Sequence, residues 1–275
     1  EAVSVCRAFV ERYPDTEWTP SVLFWLGEYA FNHGQFAEAE AYFVQLAESY
    51  PRDVLADQAL LWAGRSASRQ KEYLRAVDRF GRAALAYPES VHMDEIRFFQ
   101  GDALTELGEF SQAIVVFDDL IDKHPASALV PAAWGRRGDC QLTLGLDDPR
   151  RYEEAIGSYR AVLNSAAATF DLKLQAEYKI GRCLEKLGRR KEAFEQYYTR
   201  VVCRYLDEVA ASGDAPAAAA VWFTKAAFSA ADILEADKDW RRAVRVLERV
   251  VSAGVSASAD AQARIERIRA DHWIL

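Results

Sequence analysis

The sequence predicts an all-α fold of stacked antiparallel helix pairs, and three observations support this. Glycines and prolines recur with a period of 37 residues through the first half of the chain. Each period contains two stretches whose apolar residues follow helical spacing, separated by a short break. The chain of 275 residues has only 14 glycines and 8 prolines, which is low for a loop-rich or all-β protein. The residues that carry the period are Pro14, Pro51, Pro88, Pro125, Gly27, Gly64, Gly101 and Gly138.

The second period illustrates how each helix is predicted. Residues 53–70 place Leu60 and Ala67 on one face of a first helix, and residues 72–86 place Phe80 on the inner face of a second helix. The break between the two stretches is short, so the helices must be antiparallel neighbours. A single pair cannot bury both of its faces, and the pairs are therefore expected to stack.

The ends of the helices are predicted from local chemistry. Gly34 and Gly108 fall at the break inside their own periods, where glycine ends a helix in the left-handed conformation without a steric penalty. Pairs such as Tyr50-Pro51 end the second helix, because proline lacks the backbone donor and clashes with the preceding turn. The residues expected to cap the following helices with a side-chain oxygen are Thr19, Asp53, Ser90 and Ser127.

Small and aromatic residues follow the same period. The glycine of each first helix and the alanine of each second helix are expected to face each other, so that the two backbones approach closely. A phenylalanine on each second helix is expected to fill the space between neighbouring pairs. The alanines are Ala39, Ala76 and Ala113, and the phenylalanines are Phe43, Phe80 and Phe117.

The composition narrows the class of protein. Hydrophobic residues make up 51% of the chain and charged residues 28%, which excludes a disordered, collagen-like or disulfide-dense protein. The 34 basic and 42 acidic residues give a net charge of −8, so non-specific nucleic-acid binding is disfavoured. Uninterrupted apolar runs are much shorter than the ~18 residues of a membrane span. We therefore expect no transmembrane segment and no nucleic-acid partner.

The periodic residues resemble the tetratricopeptide repeat, whose usual unit is about 34 residues long. The first full copy reads Leu26-Gly27…Gly34…Phe36…Ala39…Phe43…Pro51. The resemblance implies a right-handed superhelical solenoid whose first helices line a concave, peptide-binding face. The unit of 37 residues that ends in Tyr-Pro is similar to the repeats of bacterial cell-envelope proteins of the Tol-Pal accessory and barrel-assembly lipoprotein types. That similarity implies a periplasmic or outer-membrane-associated protein.

The repeats are predicted to form one solenoid over residues 1–275. It begins with the second helix of a truncated repeat, which favours a longer native chain. A repeat with an insertion, one with a long second helix, a degenerate repeat and a capping helix follow the regular copies. The boundaries are 1–14 (truncated), 15–51, 52–88 and 89–125 (regular), 126–169 (insertion), 170–216 (long second helix), 217–254 (degenerate) and 255–275 (cap).

Motifs for catalysis or cofactor binding do not occur in the sequence. We find no glycine-rich phosphate loop, nucleophile elbow or paired metal-binding histidines, so no catalytic residue, cofactor or metal is predicted. Cys6, Cys140, Cys183 and Cys203 lie far apart and are expected to be thiols that act as small hydrophobes. A Cys140–Cys183 disulfide is the alternative if the protein is exported.

The resemblance also implies which residues line the concave face. Their charges place an acidic centre between two basic stretches, and the alternative interpretation is an ordinary solvated face of mixed charge. Among them, Phe24, Phe98 and Tyr178 are expected to anchor a partner. The candidate partner-binding residues are Phe24, Glu28, Arg65, Arg69, Glu95, Phe98, Asp102, Glu106, Asp139, Tyr178, Lys179, Arg182 and Lys186.

The function predicted from these residues is a non-catalytic scaffold that binds a protein or peptide partner on the concave face of the second to fifth copies. The alternative is a repeat section of a larger envelope or signalling protein whose activity resides on another domain. An enzyme in its own right and a nucleic-acid binder are both disfavoured. The identity of the partner does not follow from the sequence.

Overall fold

The computed structural model describes residues 1–213 and 217–272, and within them the chain is helical with no strand. The predicted all-α architecture of antiparallel helix pairs is therefore confirmed. The elements are α1 Ala2–Arg12, α2 Thr19–Asn32, α3 Phe36–Ser49, α4 Ala56–Arg69, α5 Tyr73–Ala86, α6 Met93–Glu106, α7 Phe110–Lys123, α8 Val130–Leu144, α9 Arg150–Asn164, α10 Phe170–Lys186, α11 Arg190–Glu195, a π-helical segment Gln196–Cys203, α12 Arg204–Ser212, α13 Ala217–Ala236, α14 Trp240–Ser252 and α15 Ser258–His272.

The chain forms two compact units, Glu1–Ala133 and Trp134–Leu275, which we call unit 1 and unit 2. In unit 1 the helices from α1 to α7 pack in series, each against the next. In unit 2, α9 packs against α10, α10 against α13, and α13 against α14, which packs against α15. The predicted repeat boundary at residue 216 and the last three residues of the predicted cap lie outside the described residues.

In unit 1, phenylalanine rings occupy the space above the repeated glycines. Phe43 lies on Gly27, Phe80 on Gly64, and Phe117 on Gly101; a Cβ atom at Gly101 would lie only 2.5 Å from the Phe117 ring. The glycine therefore makes room for an aromatic ring within its own pair, a contact that the sequence did not predict. The outer sides of Phe43 and Phe80 also stack on the next first helix, against Trp62 and Phe99.

In unit 2 the same position carries a tyrosine. The Tyr159 ring lies on Gly138 and the Tyr197 ring on Gly181. Both rings are fully buried. A buried hydroxyl needs a hydrogen-bond partner, and the partners come from the first helix of the same pair. The Tyr159 hydroxyl donates to Asp139 at 2.8 Å, and the Tyr197 hydroxyl donates to Glu185.

The two breaks that were predicted to be left-handed, at Gly34 and Gly108, have that conformation. Gly34 and Gly108 have φ angles of 75° and 80°. In the second period the equivalent residue is Lys71, which adopts a φ of 64°. A side chain in this conformation is strained by about 1–2 kcal/mol. The repeat geometry therefore imposes the turn even where the sequence does not supply glycine.

The predicted helix caps are wrong in detail. α6 begins after His92, and the Ser90 hydroxyl accepts a hydrogen bond from the His92 backbone N–H at 3.1 Å. Asp53 accepts one from the Leu55 backbone N–H in the same way. These side chains stabilise the turn that precedes the helix. Ser90 and Ser127 also donate to Asp57 and Asp94 of the preceding first helices, so they join successive pairs. Thr19 is itself the first residue of α2.

One described helix, α13, is long and apolar enough to span a membrane by length and composition. The expectation of no such segment rested on uninterrupted apolar runs, and it overlooked α13 because Lys225 and Asp232 interrupt the helix. In unit 2 this helix packs against α10 and α14, and Phe223 and Ala227 are fully buried. Its apolar residues therefore have a packing role in this fold.

Candidate interaction surfaces

A mixed aromatic and charged surface lies on α4 and α6 of unit 1. We call it the unit 1 face, and its residues are Trp62, Arg65, Arg69, Glu95, Phe99, Asp102 and Glu106. At its centre, the Arg65 guanidinium carbon lies 4.1 Å from the centroid of the Trp62 ring and 4.9 Å from that of the Phe99 ring. Both rings are half-buried. The arginine is thus held between aromatic rings from two neighbouring first helices.

The environment of Arg65 leaves its charge only partly solvated. Burial lowers the pKa of its guanidinium, and the nearby Glu95 carboxylate opposes that shift. Arginine stays protonated in proteins regardless of such shifts. A partly desolvated cation interacts more strongly with an incoming anion than a fully hydrated one does. Arg65 can therefore contribute to recognition of a partner.

The other predicted residues of unit 1 differ in exposure. Glu106 and Arg69 are exposed at the ends of their helices, whereas Glu28, Glu95 and Asp102 are half-buried. The Arg69 guanidinium also lies over the Phe36 ring, 5.3 Å from its centroid. Arg65, Arg69, Glu95, Asp102 and Glu106 are therefore brought together on adjacent helices of unit 1.

The predicted aromatic anchors are core residues, so this part of the prediction is wrong. Phe24 is 8% exposed and packs edge-on against Phe43, and Phe98 is 9% exposed and packs edge-on against Phe117. Each lies three residues before the repeated glycine. That position turns the side chain towards the ring on the glycine and not towards solvent.

Sequence reasoning missed Trp62 and Phe99 as surface residues. Both occupy the position two residues before the repeated glycine, as Trp25 does in the first copy. An adjacent helical residue points about 100° away, which separates Phe99 from the buried Phe98. The recurrence of an aromatic residue at one position in three consecutive copies was the signal that could have identified them.

In unit 2, residues that were predicted to face a partner instead pair with each other. Its predicted residues are Asp139, Tyr178, Lys179, Arg182 and Lys186. The Lys179 ammonium donates to both Asp139 carboxylate oxygens, at 2.6 and 2.8 Å. The expected contrast between an acidic centre and a basic stretch is therefore partly neutralised within the protein. Lys186 is exposed.

Tyr178 is also a core residue and not an anchor. It is 8% exposed and packs between the rings of Tyr197 and Trp222, at centroid distances of 5.5 and 5.7 Å. Its hydroxyl accepts a hydrogen bond from Arg182 at 3.3 Å. This hydrogen bond is the main cause of a raised pKa of the Arg182 guanidinium. Arg182 is therefore held against the core by Tyr178.

The buried groups of unit 2 are inert rather than reactive. Burial raises the pKa of Tyr159 well above its usual value, and the Asp139 carboxylate adds to the shift, so the hydroxyl stays protonated and donates. Burial also raises the pKa of the Cys183 thiol to about 12. Cys140 and Cys183 are fully buried thiols and not a disulfide. They act as small hydrophobes, as expected from the sequence.

The described residues contain no group of three or more histidine, cysteine or acidic side chains that could hold a metal ion. The buried carboxylates each have a protein partner instead. Glu177 of α10 accepts a hydrogen bond from Gln196 and lies 3.8 Å from Arg204. Glu40 of α3 is likewise close to Arg75 and Arg79.

Solved structures of low sequence identity share this fold. A structure of the MamA protein superposes with a TM-score of 0.59 and 18% identity, covering 73% of this chain and 99% of that one. A MamA structure from Desulfovibrio magneticus RS-1 gives 0.54 and 18%, covering 71% and 97%. YrrB, described as a tetratricopeptide protein with an unusual peptide-binding site, gives 0.52 and 19%, covering 72% and 89%. No curated protein matches this sequence significantly.

Two family models match the helix pairs described above. A model described as tetratricopeptide repeat matches residues 19–91 and 98–171, which together make up more than half of the chain. A second model with the same description matches residues 175–205. Both cover the helix pairs in which an aromatic ring lies on the repeated glycine. The chain therefore belongs to the tetratricopeptide repeat family.

Proposed function

We propose that this protein is a non-catalytic scaffold and that its unit 1 face binds a protein or peptide partner. The observation that carries the proposal is the placement of Arg65 between Trp62 and Phe99. Tryptophan and arginine are among the residues that most often dominate binding energy at protein interfaces. Here both are positioned by neighbouring helices, so little side-chain entropy remains to be lost on binding.

The charges around Arg65 suit a partner with both acidic and basic groups. Arg65 and Arg69 on α4 can receive carboxylates, whereas Glu95, Asp102 and Glu106 on α6 can receive lysine or arginine. Charges at the edge of an interface mainly set the association rate and the register of the partner. Affinity is therefore expected to fall as salt concentration rises.

The comparisons support this proposal by analogy. YrrB is described as having a peptide-binding site, and its fold is similar to that of this chain. The family resemblance further implies that the face formed by first helices is concave and receives extended or helical peptides. The surface of unit 2 is the weaker candidate, because Lys179 and Asp139 already pair with each other.

The proposal is tested by isolating a partner and measuring its affinity. The protein is immobilised, and nuclease-treated lysate of the cells that naturally produce it supplies candidate partners, which are identified by mass spectrometry. The purified partner is then titrated against Asp102→Lys with Glu106→Lys. The matched control is Glu89→Lys with Asp122→Lys, which changes the net charge equally at exposed positions outside the unit 1 face.

We expect the face variant to bind at least about tenfold more weakly, since charge-assisted hydrogen bonds contribute ~1.5–3 kcal/mol each. The control should bind like the parent. Equal affinities for parent, control and face variant, with the helix content of all three unchanged, would contradict the unit 1 face as the site.

We also propose a bacterial cell-envelope location, and that this chain can act as the repeat section of a larger protein. The support is the unit of 37 residues closed by Tyr-Pro, which resembles envelope repeats. Fractionation of the native cells, followed by immunoblotting, tests the location. Recovery of the protein with the periplasmic or membrane fraction is expected, and recovery with cytosolic markers alone would contradict it.

A further inference from the structure

A separate basic cleft lies in unit 2, between second helices of two successive pairs. Its lining residues are Phe194, Tyr198, Arg242, Arg245, Val246 and Arg249, and its volume is about 200 Å³. The aromatic residues belong to α11 and the π-helical segment, whereas the arginines belong to α14. None of these residues is used by the surfaces described above.

The three arginines form one row along α14. Spacings of three and four residues return side chains to the same face of a helix. The Arg242 guanidinium carbon lies 5.0 Å from the centroid of the Phe194 ring, and that of Arg249 lies 5.5 Å from the centroid of the Tyr198 ring. A guanidinium stacked on a ring keeps its planar N–H edge available for hydrogen bonds.

Two of the three arginines in this row have no carboxylate partner within the described part of the chain. Arg242 pairs with the Asp239 carboxylate at 3.4 Å. Glu248 of α14 pairs with Arg269 and not with the row. Arg245 and Arg249 are exposed, and no carboxylate of the described residues lies within 4.0 Å of either. This cationic row stands out in a chain whose net charge is −8.

The aromatic wall of the cleft is flat. The Phe194 and Tyr198 rings are parallel within 9°, with centroids 5.7 Å apart, and both are half-buried. The helix changes from α to π between these two residues. π-helical turns occur frequently at functional sites. The cleft therefore combines an apolar platform with cationic edges.

We propose that this cleft binds an acidic segment of a partner protein. Carboxylates of the segment bind Arg245 and Arg249, and an apolar side chain between them packs on Phe194 and Tyr198. Arginine and carboxylate form paired, parallel hydrogen bonds, which are the strong class of such contacts. The proposal goes beyond the unit 1 face, because it assigns a second site on other helices with a defined ligand charge.

A protein segment fits this cleft better than a nucleic acid. The volume of about 200 Å³ suits one or two side chains. Binding along a phosphate backbone needs cations opposite successive phosphates. Among the residues that line the cleft, only Arg245 and Arg249 are arginines without a carboxylate partner in the described ranges, which suits a short acidic segment better than a run of phosphates.

The test uses the whole chain and a fluorescently labelled peptide of glutamates with one central phenylalanine. Its matched probe has glutamine in place of every glutamate, and a single-stranded oligonucleotide of equal charge is the third probe. Binding is followed by fluorescence anisotropy. The site variant is Arg245→Gln with Arg249→Gln, and the control is Arg241→Gln with Arg267→Gln, which removes the same charge from exposed positions outside the cleft.

We expect the parent and the control to bind the glutamate peptide alike, and the site variant to bind it at least about tenfold more weakly. The glutamine peptide should bind weakly to all of them. A further variant, Arg245→Lys with Arg249→Lys, keeps the charge but loses the planar fork, so it should also weaken binding. Weaker binding by this variant would show that the planar shape of the arginines matters and not their charge alone.

Three results would overturn the proposal. The first is no measurable binding of the glutamate peptide by the parent. The second is equal binding by the site variant and its control, which would indicate attraction spread over the surface. The third is tighter, arginine-dependent binding of the oligonucleotide, which would assign the cleft to nucleic acid.

Discussion

Units 1 and 2 use the same packing device with different aromatic residues. In unit 1 a phenylalanine lies on the repeated glycine, whereas in unit 2 a tyrosine occupies that place. The added hydroxyl of Tyr159 is buried and requires Asp139, and Asp139 in turn holds Lys179. The hydroxyl oxygen of Tyr159 in the core therefore draws the charged groups of Asp139 and Lys179 into contacts within the protein.

The consequence differs between the two surfaces. In unit 1 the phenylalanines need no polar partner, so Arg65 can lie between Trp62 and Phe99 with its charge available. In unit 2, Lys179 is paired with Asp139, and Arg182 is hydrogen-bonded to the core residue Tyr178. This difference is why we place the partner site of the proposed function on unit 1.

The largest expected effect comes from filling the space above a repeated glycine. Gly101→Leu should lower the free energy of unfolding by about 3 kcal/mol or more, because overpacking a filled site displaces the Phe117 ring. The measurement is urea unfolding followed by circular dichroism.

The matched control for Gly101→Leu is Gly81→Leu. At Gly81 the nearest atom to an added Cβ is the flexible Gln100 amide at 3.6 Å, which is ordinary contact. Replacing a helical glycine there should leave stability equal or raise it by up to ~1 kcal/mol. If the two variants lost stability equally, the rings would not occupy the space assigned to them.

An intermediate effect is expected from the polar contacts that only unit 2 has. Asp139→Ala should cost about 2 kcal/mol, because it leaves the Tyr159 hydroxyl and Lys179 without their shared acceptor. Tyr159→Phe should cost only about 1 kcal/mol, since Lys179 keeps Asp139. Unfolding of both single variants and the double variant measures the coupling.

The double variant makes this comparison sharper. Once Asp139 is absent, removing the hydroxyl should stabilise the protein, because a buried donor without a partner is removed. Strictly additive costs would show that the hydroxyl and the carboxylate do not depend on each other.

The smallest effect concerns Glu177, a carboxyl that is buried in unit 2 and 7% exposed. Burial raises its pKa, and its contacts with Gln196 and Arg204 only partly oppose the shift. Between the usual and the raised pKa, the folded state binds a proton that the unfolded state releases. Stability is therefore lost as pH rises through that interval. Glu177→Gln should flatten this decline.

Unfolding midpoints measured from acid to neutral pH check the Glu177 prediction. The gap between variant and parent should widen in favour of the variant as pH rises. The control is Glu195→Gln, at an exposed position on α11. Parallel curves for the parent and Glu177→Gln would show that this carboxyl has the same proton affinity in both states.

The sequence predicted those features that depend on neighbouring residues. The 37-residue period located the helix pairs, and glycine at residues 34 and 108 located two left-handed breaks. Prediction from the sequence failed where the packing of a residue depends on a side chain from another helix. Whether glycine faces a backbone or a ring is decided by the residue that lies above it, Phe117 for Gly101. The period alone does not contain that information.

The candidate site also shows that the sequence pattern does not decide which residue of a helix is buried. Phe98 and Phe99 are adjacent and chemically identical, yet one is core and the other lines the unit 1 face. A periodic pattern that places a helix correctly can still assign its aromatic residues to the wrong side. The charged residues Arg69, Glu106 and Lys186 are exposed as predicted, because burying a charge is costly.

The central claim, that unit 1 binds its partner through the face of α4 and α6, is tested most directly by photo-crosslinking in the native cells. A photoreactive amino acid is placed at Glu106, exposed on α6, and in a second strain at Leu85, which is 86% exposed on the second helix α5. We predict a defined crosslinked product at Glu106 that is absent at Leu85 and is lost when Arg65→Gln is added. A product at Leu85 alone, or one at Glu106 that Arg65→Gln leaves unchanged, would contradict the account.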